Sequence, residues 1–390
     1  MRAVLASLMP DPESAAARVV PVAGDIMRDG LGLERRVRDE LAESVDEVIH
    51  AAASVSFTLP LDQARAVKVE GTRRVLELAL HASARGEGLR RFAHVSTAYV
   101  AGQHRGSFAE CDLARGQGFH NTYERSKWEA ERLVRRHEGL LPVQVFRPSI
   151  VVGDHRSGWT ASFNVIYTPL RAYARGALPA LPARRSAPVD VVPVDWVARS
   201  ILALADAGAG RTWQLAAGPR SSSVGELIDR GAELLGQPRA RAIPPKLYRL
   251  VVHPVLMRRA GPAQRRWLDR GRVFFPYLAT RVRFDTGATT AALDDAGVGP
   301  PPPVATYLHT LLDFAERAEW GRRPQPRSTV TPPSGGEVDE REVDSGADPG
   351  PERPHRDRDR GEQRPGSGDC ARALPRGRTR GAGVPQHAEG

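Results

Sequence analysis

Cysteine is nearly absent: Cys111 and Cys370 are the only two thiols in 390 residues. Two cysteines so far apart form no disulfide framework and no metal-ligand spacing, so no metal is expected and a reducing cytoplasm fits. No apolar run approaches the roughly eighteen residues that a membrane-spanning helix needs. The first residues lack a secretory signal, because Asp11 and Glu13 interrupt any apolar stretch. Aromatic residues stop at Trp320. From about Arg322 to Gly390 the chain is mostly Pro, Gly, Arg, Asp, Glu and Ser. Such a segment buries too little apolar surface to offset its chain entropy and reads as a disordered tail, 322–390. The folded part is expected in residues 1–321.

Charge is present in excess. The formal net charge is +10, and much of the local surplus lies between Lys246 and Arg283. A basic surface favours anionic partners such as nucleotide phosphates, an acidic carrier protein or anionic lipid; its plain alternative is a solvated face. No nucleic-acid-binding motif accompanies it, so nucleic acid is not expected. Tyr248–Met257 lies in this stretch and reads as a core helix broken at Pro254. The alternatives for it are a peripheral membrane contact or an acyl groove.

Short apolar runs alternate with helical patterns. Strands are expected at Arg18–Ala23, Glu47–Ala52, Arg91–Ser96, Val143–Arg147, Val189–Pro193 and Thr212–Ala216. Helices are expected at Leu31–Ser44, Ala64–Ala84, Tyr123–His137, Asp195–Ala205 (capped by Asp195), Val224–Leu235 and Thr306–Arg317. That alternation predicts an α/β fold, a Rossmann-type doubly wound parallel sheet with a small C-terminal lobe. The expected division is a nucleotide-binding core, 1–158 and 186–218, and a substrate-binding lobe, 159–185 and 219–321.

Tyr123 and Lys127 stand four residues apart in an expected helix, which puts both side chains on one face. An ammonium beside a phenol favours the phenolate, lowers the phenol's pKa and makes it a usable proton donor to a carbonyl. Upstream, the strand ending in Ser96-Thr97 brings hydroxyls to the carboxyl edge of the sheet, where open α/β sheets bind ligands. One of them is placed to hydrogen-bond the same carbonyl oxygen. Taken alone, each motif is as readily a half-buried tyrosine, a solvated lysine or a polar turn.

Together they resemble a known family. VAGDI (Val22–Ile26), VIHAAAS (Val48–Ser54), VEGTRRVLELA (Val69–Ala79), HVSTAYVAG (His94–Gly102), YERSKWEAE (Tyr123–Glu131), VFRPSIVVGD (Val145–Asp154) and VDVVPVDWVA (Val189–Ala198) follow one another in the order of the extended short-chain dehydrogenase/reductases. HVSTAYV with the later VVPVDWVA is most similar to the fatty acyl-CoA reductase ("male sterility") and thioester reductase branch. The resemblance implies Tyr123 as general acid, Lys127 as its activator and ribose ligand, and Thr97 as the catalytic hydroxyl. It implies cofactor contacts from Asp25, Ile26, Ala51, Ala52, Ala53, Lys127, Pro148, Ser149 and Ile150. It further implies NADP(H) in preference to NAD(H), and an acyl-CoA or acyl carrier protein thioester as substrate.

The chain departs from that pattern twice. Nothing before Val19 resembles the family's GxxGxxG turn, and Gly24, Gly30 and Gly32 are not spaced for it. The expectation is a chain that starts after the first strand, the glycine loop and the second strand, with Arg2–Leu8 ending a helix, through a misassigned start or a broken gene. In addition, Lys68 stands where the family usually has Asn, and an ammonium cannot accept hydrogen bonds. The expected activity is NAD(P)H-dependent reduction of an acyl thioester or aldehyde. The alternatives are a sugar-nucleotide epimerase/dehydratase or hydroxysteroid dehydrogenase on the same scaffold, and a non-catalytic truncated remnant.

Overall fold

A computed structural model describes residues 12–85, 87–163, 166–259, 261, 265, 272–323 and 325–327. All of them belong to one compact unit, Met1–Gly335; Gly336–Gly390 forms a separate unit that lies outside the described residues. The expected helix end at Arg2–Leu8 lies outside them too. So does most of the expected tail, although Gln325 and Arg327 are held to the body: the Trp159 indole donates to the Gln325 carbonyl at 2.9 Å, and Arg327 reaches Asp154 at 2.7 Å.

The core is a parallel sheet of four strands, β1 (Glu47–His50), β2 (Arg91–Val95), β3 (Val143–Phe146) and β4 (Arg211–Trp213), side by side in that order. Successive strand residues point to opposite faces, and both faces are covered. Phe92, Val143 and Val145 pack on one side with Val75, Leu76 and Ala79 of helix α2 (Gly71–Arg85), Ala42 of helix α1 (Arg35–Ser44) and Val134 of helix α3 (Thr122–Arg135). Their neighbours Ala93 and Phe146 pack on the other side with Trp196 and Val197 of helix α4 (Val194–Ala203), Trp213 and Leu215. Double cover buries every residue of VQVF, and the polar Gln144 within it donates to the carbonyls of Leu204, Ala205 and Gly208.

A second core cluster joins the short parallel pair Ile150–Val152 and Val191–Pro193 to the helices Tyr167–Ala174, Val224–Leu235 and Val304–Arg317. Ser223 and Glu226 form a capping box at the start of Val224–Leu235, and Gly236 ends it in the left-handed conformation.

Four sequence expectations are corrected. Arg18–Ala23 is not a strand: no described strand flanks it, and Val20 is 84% exposed. A strand needs a neighbour for its backbone groups, and β1 bonds to β2 alone among the described residues. Asp195 does not cap helix α4, which Pro193 precedes; it lies in the first turn and accepts from His155 instead. Val189–Pro193 divides into two short strands with different partners. The helical run 245–259 passes through Pro254 with a wide π-turn at Tyr248–Val252, and only Tyr248 reaches the core: Leu247, Leu250, Val251 and Val255 are exposed. Among the described residues no helix is long and apolar enough to cross a membrane.

Candidate active site

Parallel strands β1, β2 and β3 end on the same edge of the sheet, in register from His50 beside His94 and Val95 beside Phe146. Ala51–Ala53, Ser96-Thr97 and Pro148-Ser149 therefore leave the sheet side by side, at the edge where such sheets hold ligands. Thr97 is extended and caps the short turn Ala98–Ala101; its hydroxyl accepts from the Tyr99 amide and donates to the Pro148 carbonyl, each at 3.3 Å. Gly102 closes that turn at φ 51°, and a Cβ there would stand 2.2 Å from the Gly118 carbonyl oxygen, so only glycine fits.

Helix α3 delivers the tyrosine and the lysine. Asn121 caps it by accepting from the Glu124 amide at 3.0 Å, which fixes Tyr123 in the first turn and Lys127 one turn further. Lys127 Nζ donates to the Val95 carbonyl at 2.7 Å, pinning the helix to the end of β2. Phe57 covers the Tyr123 ring with a centroid distance of 4.9 Å, and Phe274 and Tyr277 pack behind Phe57.

The electrostatics differ from the simple expectation of a lysine acidifying its tyrosine. Burial pushes the Tyr123 phenol up to about 12; a hydrogen bond with Thr97 pulls it back and Glu124 adds to the rise. Burial also pulls Lys127 down to about 8, Glu131 opposing and Lys68 assisting. Desolvation is thus the leading effect on both groups, and Tyr123 keeps its proton at neutral pH.

Behind the site lies a buried ion pair, both side chains fully enclosed: Arg147 Nη2 to Glu131 Oε1 at 2.7 Å. Ser96 donates to the same carboxylate at 2.6 Å, so Ser96 is structural and Thr97 alone of the two faces the site. Sequence reasoning missed this strut, Phe57, Phe274 and Tyr277. A signal existed for Glu131, which stands one helical turn after Lys127 on the same face.

His50 and His94 sit beneath the edge, 5.4 Å apart by ring centroid. Burial first, then Lys127, holds His50 down at about 4, and His94 well below the ordinary imidazole value. A base with a depressed folded pKa leaves the unfolded chain to bind the proton first. The contribution of neutral His50 is then complete above pH ~6.5 and lost as pH falls towards about 4. The loss from His50 amounts to about 3 kcal/mol. Urea midpoints measured across that range should fall accordingly, and His50→Gln should flatten the dependence; an equally steep curve in the variant would refute it.

The other expected contacts are partly assembled. Ala51, Ala52 and Ala53 are exposed, small and next to β2, whereas Pro148, Ser149 and Ile150 are buried at the end of β3. Asp25 is exposed, and Ile26 packs against the start of α2, 3.1 Å from where a Gly71 Cβ would be. Asp154, His155 and Asp195 bring ligand atoms within 4.8 Å of one another. His155 Nδ1 already bonds Asp195 at 2.7 Å, and Asp154 bonds Arg327.

This edge fits a reduced nicotinamide and its ribose: a hydroxyl, a phenol and an amine converge beside a floor of alanines. Among the described residues no glycine turn at a helix N-terminus offers a phosphate cradle.

The sequence family described as male sterility protein matches residues 2–201. The chain belongs to that family. Over 216 residues it is 28% identical to the fatty acyl-CoA reductase wat of Drosophila melanogaster, covering 48% of this chain and 41% of that protein. Over 210 residues it is 33% identical to the carboxylic acid reductase of Segniliparus rugosus, covering 48% of this chain and 17% of that protein. The chain thus spans less than half the length of these curated relatives. The terminal R domain from the myxalamid PKS-NRPS biosynthetic pathway superposes with a TM-score of 0.67 at 26% identity, covering 80% of this chain and 79% of that one. The chain shares the Rossmann-like α/β fold of such reductase domains.

Proposed function

We propose that the chain is an NAD(P)H-dependent reductase of an acyl thioester or aldehyde carbonyl, with Tyr123 as general acid. The observation that carries this reading is the convergence of Thr97, Tyr123 and Lys127 at the carboxyl edge of β1–β3. A reduced nicotinamide held at that edge would supply the hydride. Tyr123 donates its proton to the carbonyl oxygen, the Thr97 hydroxyl stabilises the developing oxyanion, and Lys127 holds the phenol's surroundings positive. Asp25 and Ile26 are proposed on the adenine side, Ala51–Ala53 along the cofactor, Lys127 at the ribose, and Pro148, Ser149 and Ile150 near the nicotinamide.

Residues 1–158 and 186–218 form the proposed nucleotide core, and 159–185 and 219–321 the substrate side. The likeness to fatty acyl-CoA and carboxylic acid reductases supports acyl-CoA or carrier-bound thioesters as substrates; NADP(H) over NAD(H) is proposed from the motif resemblance alone. Exposed Leu250 and Val251 beside Arg249 support a peripheral acyl or membrane contact. The scarcity of cysteine, with Cys111 exposed and unpaired among the described residues, supports a cytoplasmic setting.

The test is to incubate the 390-residue protein with NADPH or NADH and palmitoyl-CoA, hexadecanal or UDP-glucose. Nucleotide oxidation and free CoA thiol are followed together. One NADPH oxidised per thiol released marks reduction to the aldehyde; two mark reduction to the alcohol. Turnover of UDP-glucose with no thioester or aldehyde reduction would favour the epimerase alternative and overturn the proposal.

A further inference from the structure

Of the 56 lysine and arginine side chains, three are lysines: Lys68, Lys127 and Lys246. Two of those three are buried around Tyr123. Arginine keeps its proton at any accessible pH, whereas a buried lysine can release it. In a chain that otherwise carries positive charge on arginine and the exposed Lys246, these two buried positions hold the basic side chain able to titrate.

Their geometry is unequal. Lys68 is 2% exposed, lies in the π-turn Ala66–Glu70 that leads into α2, and faces α3. Its Nζ has no hydrogen-bond partner among the described residues and stands 5.3 Å from the Tyr123 ring centroid. Lys127 Nζ has the Val95 carbonyl. The surrounding ionisable groups are otherwise engaged. On α3, Glu131 is committed to Arg147 and Ser96, Glu124 to Tyr277 and His120, and Glu129 to Arg65. His50 on β1 and His94 on β2 are kept neutral by burial. Thr72 on α2, Thr97 and Tyr277 bring hydroxyls without charge at neutral pH. No carboxylate among the described residues bonds to either amine, and two like charges in one enclosed pocket repel.

We propose that Lys68 is a positioning residue for the Tyr123–Lys127 pair: the two buried amines compete for protons, and the charge on Lys68 keeps Lys127 ready to release its own. The catalytic meaning of this inference rests on the proposed role of Tyr123. Pairing a lysine with a second cation in a desolvated pocket is a known route to an amine that titrates near neutrality. Burial lowers both lysines, and Lys68 adds to the lowering of Lys127 to about 8. A lysine in that range can return the proton that Tyr123 gives to a carbonyl and recover it from water.

The scarcity of lysine makes the test direct. Protein with isotope-labelled lysine Cε gives three lysine signals, assigned by substituting each in turn and titrated by NMR without substrate or nucleotide. The wild-type Lys127 signal should titrate near pH 8. Lys68→Met should raise its midpoint by about one unit or more, while Lys68→Arg, which keeps a charge, should leave it low. An unmoved Lys127 midpoint in Lys68→Met would overturn the proposal, as would a Lys68 signal already neutral at the pH where Lys127 titrates. Should Lys68→Met not fold, the wild-type curves decide: mutually dependent, two-step titrations support the proposal, and independent single steps overturn it. Since no turnover is involved, coupling found in a protein without reductase activity would uphold this inference and count against the proposed function alone. In an active enzyme, Lys68→Met should also shift the alkaline limb of kcat to higher pH.

Discussion

Tyr123→Phe should lower kcat for the reduction by about 10²–10⁴-fold and leave the protein folded. The substitution removes one oxygen and its proton. The ring keeps its contact with Phe57 at 4.9 Å and stays beneath Lys68, and α3 keeps its Asn121 cap and the Lys127–Val95 bond. What is lost is the donor that meets the carbonyl oxygen as negative charge grows on it. An interaction made mainly in the transition state lowers kcat and kcat/KM together and changes KM little. With the phenol held at about 12 by burial, the wild-type enzyme carries its acid in the protonated form throughout the neutral range. An alkaline decline near pH 8 is therefore assigned to Lys127. The measurement is nucleotide oxidation and thiol release by wild type and variant across pH, with denaturant unfolding as the control for folding. Undiminished turnover in Tyr123→Phe would end the assignment of Tyr123 as general acid.

How legible this site was in the sequence depended on how local each signal was. The strands ending at His50, Val95 and Phe146, and the Tyr-Lys spacing on a capped helix, are short-range patterns, and they stand where the motifs placed them. Thr97 was legible because a strand followed by hydroxyls defines a sheet edge. The aromatic cover was not: Phe57 and Phe274 are more than two hundred residues apart, and only tertiary packing brings them together. The acidity of Tyr123 was misjudged because a spacing rule counts neighbouring charge and omits desolvation, which here is the larger effect. Arg18–Ala23 failed for a related reason. RVVPVA has strand-like composition, but a strand exists only with a partner, and the described residues offer it none. Lys68 was noticed as a departure from a pattern, yet its burial without a partner was invisible until the fold closed over it.

Removing one member of the Arg147–Glu131 pair should be the most destabilising polar substitution near the site, by about 3–5 kcal/mol for Glu131→Gln. The argument rests on enclosure. Both side chains are fully buried, and Glu131 collects Arg147, Arg135 and Ser96. In Glu131→Gln the Arg147 guanidinium keeps the carbonyls of Glu110 and Asp112, the face of Phe108 and the more distant pull of the Asp112 carboxylate, but no carboxylate in contact. Arg147→Met should be less costly, because Glu131 keeps the half-buried Arg135. The double variant should lose less than the sum, since the second change removes the charge that the first strands. The pH dependence has a definite sign. Burial raises the Glu131 pKa, but Arg147 and Arg135 outweigh it and hold the carboxyl below the ordinary value. Its stabilisation is therefore complete above the unfolded carboxylate pKa of about 4.3 and disappears as pH falls through the lower folded value. Urea unfolding from neutral to acid pH should show wild type losing stability in that window while Glu131→Gln stays flat in the same term. A variant within about 0.5 kcal/mol of wild type at neutral pH would mean the pair adds nothing net. Because Ser96 precedes Thr97 and Glu131 follows Lys127 by one turn, the same substitution should loosen both catalytic side chains. Glu131→Gln should then lose turnover even at temperatures where it remains folded, a second readout that a purely global destabilisation would not give.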